Sequence, residues 1–149
     1  MRLSPALPSK LAIAAVPAFF LGILIALLTP LRNVALIEPS IDDIDPQQFY
    51  AEFTAHPEKF SFIDVRPKET YEAVHAIGSV SMPLHTLYDE WRRLPGNVSG
   101  KTIVLICGGG RASGVGYHYL EHHGFLNLKR IAGGIEAWQL AGLPVKVQN

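Results

Sequence analysis

Residues 104–113 read VLICGGGRAS and contain Cys107, the single cysteine of the chain. An apolar run ends at this cysteine, and three glycines follow it directly. Consecutive glycines let the backbone turn so that its N–H groups point inward, where they bind anions. A thiol in such a loop is favoured as the thiolate, which is the nucleophilic form of cysteine. The pattern therefore predicts an anion-binding loop around a nucleophilic Cys107.

The residues after the glycines would strengthen the same loop. Arg111 adds a full positive charge, and the start of the following helix adds the positive end of its dipole. Ser113 is predicted to cap that helix through its hydroxyl. Simpler interpretations stay open, because a lone cysteine at a strand end is commonly a small core residue and a glycine run is commonly a flexible turn.

Other chemistries fit this loop less well. Its glycines miss the G-x-G-x-x-G spacing, and no P-loop lysine follows them. A cysteine phosphatase would carry its arginine where Ser113 stands, which disfavours phosphate-ester hydrolysis. One cysteine excludes an internal disulfide or a multi-thiolate zinc site, and the six histidines form no recognised metal motif. Thirteen basic and thirteen acidic side chains leave no charge excess for nucleic acid.

The elements that must position Cys107 lie in residues 41–149, where short strands alternate with helices. TIVLI at 102–106 is β-prone and apolar throughout, as a central strand of a parallel sheet should be. FSFIDV at 60–65 predicts a second buried strand, LKRI at 128–131 predicts the last one, and Asp45 followed by Pro46 predicts a helix start. The alternation predicts an α/β fold, a parallel sheet flanked by helices on both faces. Cys107 then lies at the carboxyl end of a strand, where such sheets bind ligands.

The first forty residues have a different composition. Residues 11–28, LAIAAVPAFFLGILIALL, carry no charge, and a run of this length just reaches the roughly 18–20 residues that cross a bilayer as a helix. We therefore predict a short basic N-terminus at 1–10, one transmembrane helix at 11–28 and a linker at 29–40. A cleaved signal peptide is the alternative, although its apolar region is usually shorter.

The basic residues beside this run bear on its orientation. Arg2 and Lys10 precede it, so the positive-inside tendency places the N-terminus in the cytoplasm and the following domain on the other side. A reactive thiol is better protected in a reducing compartment, which favours the opposite side. The sequence thus predicts a single-pass membrane protein and leaves the side of its domain open.

Three segments carry a recognisable set of motifs. Residues 62–83, FIDVRPKETYEAVHAIGSVSMP, contain D-V-R, E-[YF] and a variant of H-I-x-G-A-x-N-I-P. Residues 103–113 supply a strand, a loop similar to C-x-x-G-x-[RT], and a serine. Residues 124–145, GFLNLKRIAGGIEAWQLAGLPV, match G-F-x-x-V-x-x-L-x-G-G-x-x-A-W-x-x-x-G-L-P-V almost throughout. In order and spacing, the chain from about 41 to 147 resembles a single domain of the rhodanese (sulfurtransferase) family.

The resemblance assigns roles to particular residues. It implies that Cys107 is the nucleophile that carries sulfur as a persulfide. Asp64 and Arg66 match the D-V-R pair and are expected to shape the pocket, with Glu72 as an ion-pair partner of Arg66. His75 matches the motif histidine and is expected to be mainly structural. The residues expected to bind substrate around the sulfur follow Cys107 directly: Gly108, Gly109, Gly110, Arg111, Ala112 and Ser113.

The function implied by the resemblance is transfer of sulfane sulfur. The donor would be a small sulfur-containing anion such as thiosulfate, or a persulfide, and the acceptor a thiol or a protein, with no metal or organic cofactor. Gly108 stands where thiosulfate-using members carry arginine, and Ala112 where the family often has arginine or threonine. The donor therefore stays open. The alternative is a non-catalytic rhodanese-like module, tethered to the membrane, that binds an anion or a partner.

Overall fold

The structure is a computed structural model and describes residues 41–148. Within this range the strands are short, and the longest of them has five residues. In chain order they are β1 (Asp43–Ile44), β2 (Phe60–Asp64), β3 (Val74–Ala76), β4 (Val80–Ser81), β5 (Thr102–Ile106), β6 (Leu128–Ile131) and β7 (Val145–Val147).

The helices lie between these strands, with short 3-10 turns at 57–59, 91–93 and 97–99. They are α1 (Pro46–Ala55), α2 (Lys68–Ala73), α3 (Leu84–Glu90), α4 (Arg111–His122) and α5 (Gly134–Leu140). The predicted start of α1 is confirmed: Asp45 is its N-cap, and its carboxylate accepts the N–H groups of Gln47 and Gln48 at 2.9 and 3.1 Å. This cap satisfies two of the N–H groups that the first turn of a helix leaves free.

Five strands form one parallel sheet in the order β1-β6-β5-β2-β4. β5 is its central strand and pairs with β2 on one side and β6 on the other. A strand with partners on both edges and helices over both faces is largely shielded from water, which explains why Ile103, Val104, Leu105 and Ile106 are all apolar and buried. The predicted central strand is therefore confirmed, and its carboxyl end leads directly into Cys107.

Alternate residues of β5 face two separate cores. Ile103 and Leu105 pack with residues of α3 and α4, among them Leu87 and Leu120. Val104 and Ile106 pack on the other face with α1 and α5, where Phe49 and Trp138 are completely buried. This two-sided core confirms the predicted parallel sheet flanked by helices on both faces.

A second sheet was not predicted from the sequence. β3 and β7 pair antiparallel, with Val74 opposite Val147 and Ala76 opposite Val145. The pair fixes the C-terminal segment beside α2. The last strand predicted from the sequence lies at residues 128–131, so β7 was missed. The strand β1, which has only two residues, was missed as well.

Across residues 41–148, no helix combines the length and the hydropathy that a membrane crossing requires. The predicted transmembrane helix at 11–28, the basic N-terminus at 1–10 and the linker at 29–40 lie outside the described residues.

Candidate active site

Cys107 directly follows the carboxyl end of β5, and the whole residue is 2% exposed. Its Sγ accepts the Gly110 N–H at 3.2 Å and lies 3.3 Å from Ser113 Oγ. The Gly110 N–H donates to the sulfur, and the single proton of the Ser113 hydroxyl can turn either to the sulfur or to the Gly110 carbonyl, so the local contacts would stabilise a thiolate or a persulfide anion. The predicted loop amide at the sulfur is thus present at Gly110.

Gly110 allows the loop to close in this way. It has φ +98°, a conformation that residues with a Cβ rarely adopt, and it is the N-cap of α4. Because α4 begins at Arg111, Ser113 lies inside the first turn and cannot cap the helix. Its hydroxyl instead donates back to the Gly110 carbonyl at 3.0 Å. The predicted capping role of Ser113 is therefore wrong, and its hydroxyl sits beside the sulfur instead.

Backbone N–H groups at the start of α5 form hydrogen bonds with the Cys107 loop. The N–H of Ile135 donates to the Cys107 carbonyl at 2.7 Å, and the N–H of Glu136 donates to the Gly108 carbonyl at 3.3 Å. Gly134, with φ +62°, lies so close that a Cβ there would overlap both of these carbonyls. These contacts draw the two carbonyl oxygens toward the amino end of α5. They explain the glycine at position 134, whereas Gly133 has φ +68° and a Cβ there would lie 2.7 Å from Ala137 Cβ.

A cavity of about 670 Å³ reaches the cysteine. The loop contributes little bulk to its wall, because Gly108 has no side chain and Ala112 has one methyl group. The remaining wall comes from the end of β2 and the starts of α2 and α3. It includes polar side chains and side chains of both positive and negative charge. Its other residues are Val65, Arg66, Pro67, Lys68, Glu69, Ser81, Pro83, Leu84, His85 and Thr86.

Arg66 forms a buried ion pair at the edge of this cavity. Its Nε and Nη2 groups donate to both Asp64 carboxylate oxygens at 2.7–3.0 Å, and Nη2 also donates to the Val74 carbonyl at 2.7 Å. The predicted pair with Glu72 is wrong, because Glu72 lies on exposed α2 and pairs with Lys68 at 3.6 Å. Asp64 ends a buried strand two residues before Arg66, so its completely buried carboxylate needs this counter-charge.

Two further predicted residues lie outside the cavity wall. Arg111 is exposed at the start of α4, so the cations of the wall are Arg66 and Lys68. Its predicted contribution to anion binding stays a prediction. His75 is on β3, where its Nδ1 lies 2.8 Å from the Tyr71 carbonyl and its ring stacks on Tyr71. These contacts hold β3 against α2.

One loop contact was missed by sequence reasoning. Arg130 on β6 donates from Nη1 to the Gly110 carbonyl at 3.0 Å. Its other nitrogens pair with Asp43 on β1. Because β6 is the parallel neighbour of β5, its residues reach the same edge of the sheet as Cys107. Only the strand order reveals this proximity.

The described residues form an α/β domain in which a cysteine in a glycine loop lies at the carboxyl ends of the strands of a parallel sheet. The family model of the rhodanese-like domain matches residues 45–141, so the chain belongs to the rhodanese-like family. The solution structure of the rhodanese-like domain of Anabaena sp. Alr3790 has the same fold, with a TM-score of 0.64 at 22% identity over 72% of this chain and 80% of that one.

Two curated relatives match shorter stretches. An uncharacterised protein of Synechocystis, slr1261, is 35% identical over 88 residues, which are 58% of this chain and 48% of that protein. The thiosulfate sulfurtransferase GlpE of Pseudomonas syringae is 30% identical over 77 residues, 52% of this chain and 70% of that protein. The matched segment thus spans about half the length of the first of these relatives. The family includes sulfurtransferases, of which GlpE is one.

Proposed function

We propose that this protein is a sulfurtransferase that carries sulfane sulfur on Cys107. The observation that carries the proposal is the position of Cys107, which lies in the wall of a cavity and whose Sγ contacts the Gly110 N–H and the Ser113 hydroxyl. A structural thiol in an apolar core needs neither an amide donor nor a cavity. A sulfur that must be negative and accessible to a substrate needs both.

The reaction has two half-reactions, each a displacement at sulfur. The Cys107 thiolate attacks the outer sulfur of thiosulfate, so a Cys107 S–S bond forms, the S–S bond of the donor breaks, and sulfite leaves with the bonding electron pair. A thiolate acceptor then attacks the outer sulfur of the Cys107 persulfide. The acceptor leaves as a persulfide, and the Cys107 thiolate is restored.

The cavity supports a small anionic donor and leaves room for a larger acceptor. Arg66 and Lys68 lie in its wall, each beside a carboxylate partner, while Gly108 and Ala112 add little side-chain bulk on the loop side of the cavity. We propose a sulfur-containing anion or a persulfide as the donor, and a thiol, free or on a protein, as the acceptor. Neither half-reaction requires a metal ion or an organic cofactor.

The persulfide itself is the test of this function. We expect the full chain, incubated in detergent with thiosulfate or an organic persulfide, to gain about 32 Da, one sulfur atom, in intact-mass measurements. Cyanide or a thiol should remove the added mass, and Cys107→Ser should never acquire it. If no donor produces the adduct, or if Cys107→Ser acquires it too, sulfur transfer is rejected in favour of a non-catalytic binding module.

We further propose that residues 11–28 anchor the chain to a membrane. The proposal rests on their uninterrupted apolar composition and on the basic residues before them. We expect the full chain to fractionate with membranes and to resist extraction at alkaline pH. A variant lacking residues 1–40 should instead be released. Recovery of the full chain in the soluble fraction, or of a product shortened by cleavage after residue 28, would contradict the anchor.

A further inference from the structure

The guanidinium group of Arg130, on β6, forms hydrogen bonds with both β1 and the Cys107 loop. Nε and Nη2 form a two-point ion pair with the Asp43 carboxylate at 2.6 and 2.7 Å, and Nη1 donates to the Gly110 carbonyl at 3.0 Å. The Arg130 side chain is 20% exposed, which reduces the screening of its charge by water. The planar fork of arginine suits this arrangement because it can serve two partners at fixed angles.

The Gly110 carbonyl oxygen is the acceptor of several hydrogen bonds in the loop. It accepts from Arg130 Nη1, from the Ser113 hydroxyl at 3.0 Å and from the Gly114 N–H at 3.2 Å. The N–H of the same residue, Gly110, donates to Cys107 Sγ. The carbonyl and the N–H of Gly110 belong to consecutive peptide groups joined at its Cα, so donors that hold the carbonyl restrict, through this shared Cα, the peptide group whose N–H contacts the sulfur.

Space for the guanidinium is provided by a glycine on α4. A Cβ at Gly114 would lie only 2.9 Å from Arg130 Nη1, so a larger residue there would obstruct the approach to Gly110. Gly114 has an ordinary helical backbone, and alanine is favoured over glycine inside a helix. Local conformation therefore does not explain the glycine, whereas the close approach of Arg130 does.

We propose that Arg130 is a positioning residue for the Cys107 loop: it holds Gly110 so that its N–H contacts the sulfur, and it places positive charge behind the thiolate. Electrostatics agrees with the geometry. The hydrogen bond to Asp43 raises the pKa of Arg130, and the negative charge of a Cys107 thiolate raises it further, although partial burial opposes both. The substitution of Arg130 tested below removes both this charge and the hydrogen bond that holds the Gly110 carbonyl.

Other charged groups face the same loop and remain in every variant proposed below. The Glu136 carboxylate of α5 lies 3.4 Å from the position that a Cβ on Gly109 would take. The others are Asp43, the partner of Arg130, Asp64 at the end of β2 with Arg66 after it, Lys68 and Glu69 of α2, His85 of α3, and the exposed Arg111 at the start of α4. A difference between variants in one reaction of Cys107 therefore isolates the contribution of Arg130.

A neighbouring ion pair provides a matched control. Lys129 Nζ pairs with Asp42 at 2.8 Å and joins the same strands, β6 and β1, one residue away from Arg130 and Asp43. It makes no contact with the loop among the described residues. A purely structural role in joining β1 to β6 would be shared by both pairs, whereas a role at the sulfur would belong to Arg130 alone.

The test is the pH profile of Cys107 alkylation by iodoacetamide in the full-length protein. For Arg130→Gln we expect the midpoint of the profile to rise by about 0.5–1 pH unit and the rate at pH 7 to fall about 3- to 10-fold. Lys129→Gln should leave the profile unchanged. A profile of Arg130→Gln that superimposes on that of the unmodified protein, or an equal shift in Lys129→Gln, overturns the proposal.

If Arg130→Gln does not fold, Gly114→Ala provides the same test with the charge retained. The added methyl group should move the guanidinium away from Gly110 and shift the alkylation profile in the same direction, and an unchanged profile would overturn the proposal. This inference rests on the proposed function only for the biological role of the Cys107 thiolate. Alkylation needs no sulfur donor, so a failed persulfide test and a failed alkylation test are separate results.

Discussion

Replacement of Arg66 by methionine should lower the free energy of unfolding by about 3–5 kcal/mol, because it leaves the Asp64 carboxylate buried without a counter-charge. The carboxylate is 0% exposed and receives three side-chain hydrogen-bond contacts and a backbone N–H from Arg66. Methionine retains much of the side-chain volume, so the change tests the charge and its hydrogen bonds rather than packing. Urea or guanidinium unfolding of the purified variant measures the loss.

An exposed ion pair serves as the control for this substitution. Arg93 pairs with Glu90 at 2.8 Å, but its side chain is 73% exposed. Arg93→Met should therefore cost less than about 1 kcal/mol. Similar losses in the two variants would show that the burial of Asp64 does not determine the energy of its pair with Arg66. If Arg66→Met is too unstable to purify, Arg66→Lys retains the charge without the planar fork and should be intermediate.

Replacement of Gly134 by alanine should disrupt the active loop as well as the stability of the fold. A left-handed backbone costs a residue with a Cβ about 1–2 kcal/mol, and the new methyl group would also overlap the carbonyls of Cys107 and Gly108. We expect a total loss of about 3 kcal/mol or more, since the loop must move to relieve the overlap. Denaturant unfolding measures the stability, and the rate of persulfide formation on Cys107 measures the displacement of the loop.

Gly142 separates the two causes of this loss. It has φ +68°, close to the +62° of Gly134, but no atom lies within 4 Å of the position that its Cβ would take. Gly142→Ala should therefore show the backbone cost alone, about 1–2 kcal/mol, with persulfide formation unaffected. If Gly134→Ala is no worse than Gly142→Ala, the contact between α5 and the loop does not constrain Cys107.

The sequence predicted the features of the site that depend on local pattern. The apolar run before Cys107 indicates a buried central strand whatever its neighbours are, and the glycines after it indicate a loop that can curl. Asp45 followed by Pro46 predicts a helix start for reasons that lie within a few residues. The family motifs extended this reading to the order of all the main elements, including the final helix.

The predictions that failed depend on which side chains the fold brings together. Arg66 pairs with Asp64 rather than Glu72 because one carboxylate is buried in the sheet and the other is hydrated on α2. Ser113 does not cap α4 because the helix begins two residues earlier, at a position that only the loop geometry sets. Arg130 is 23 residues from Cys107 in the chain and meets its loop only through the parallel pairing of β5 with β6.

The environment of the sulfur is completed by residues far along the chain. Three of the donors to the loop carbonyls come from Arg130, Ile135 and Glu136, which a ribosome synthesises well after Cys107. Because chains emerge and fold from the N-terminus onward, the Cys107 loop is synthesised before these donors are available to it. A nascent or truncated chain that ends before α5 therefore lacks the donors that hold the carbonyls of Cys107 and Gly108. The surroundings of Cys107 are complete only when synthesis of the domain is nearly finished.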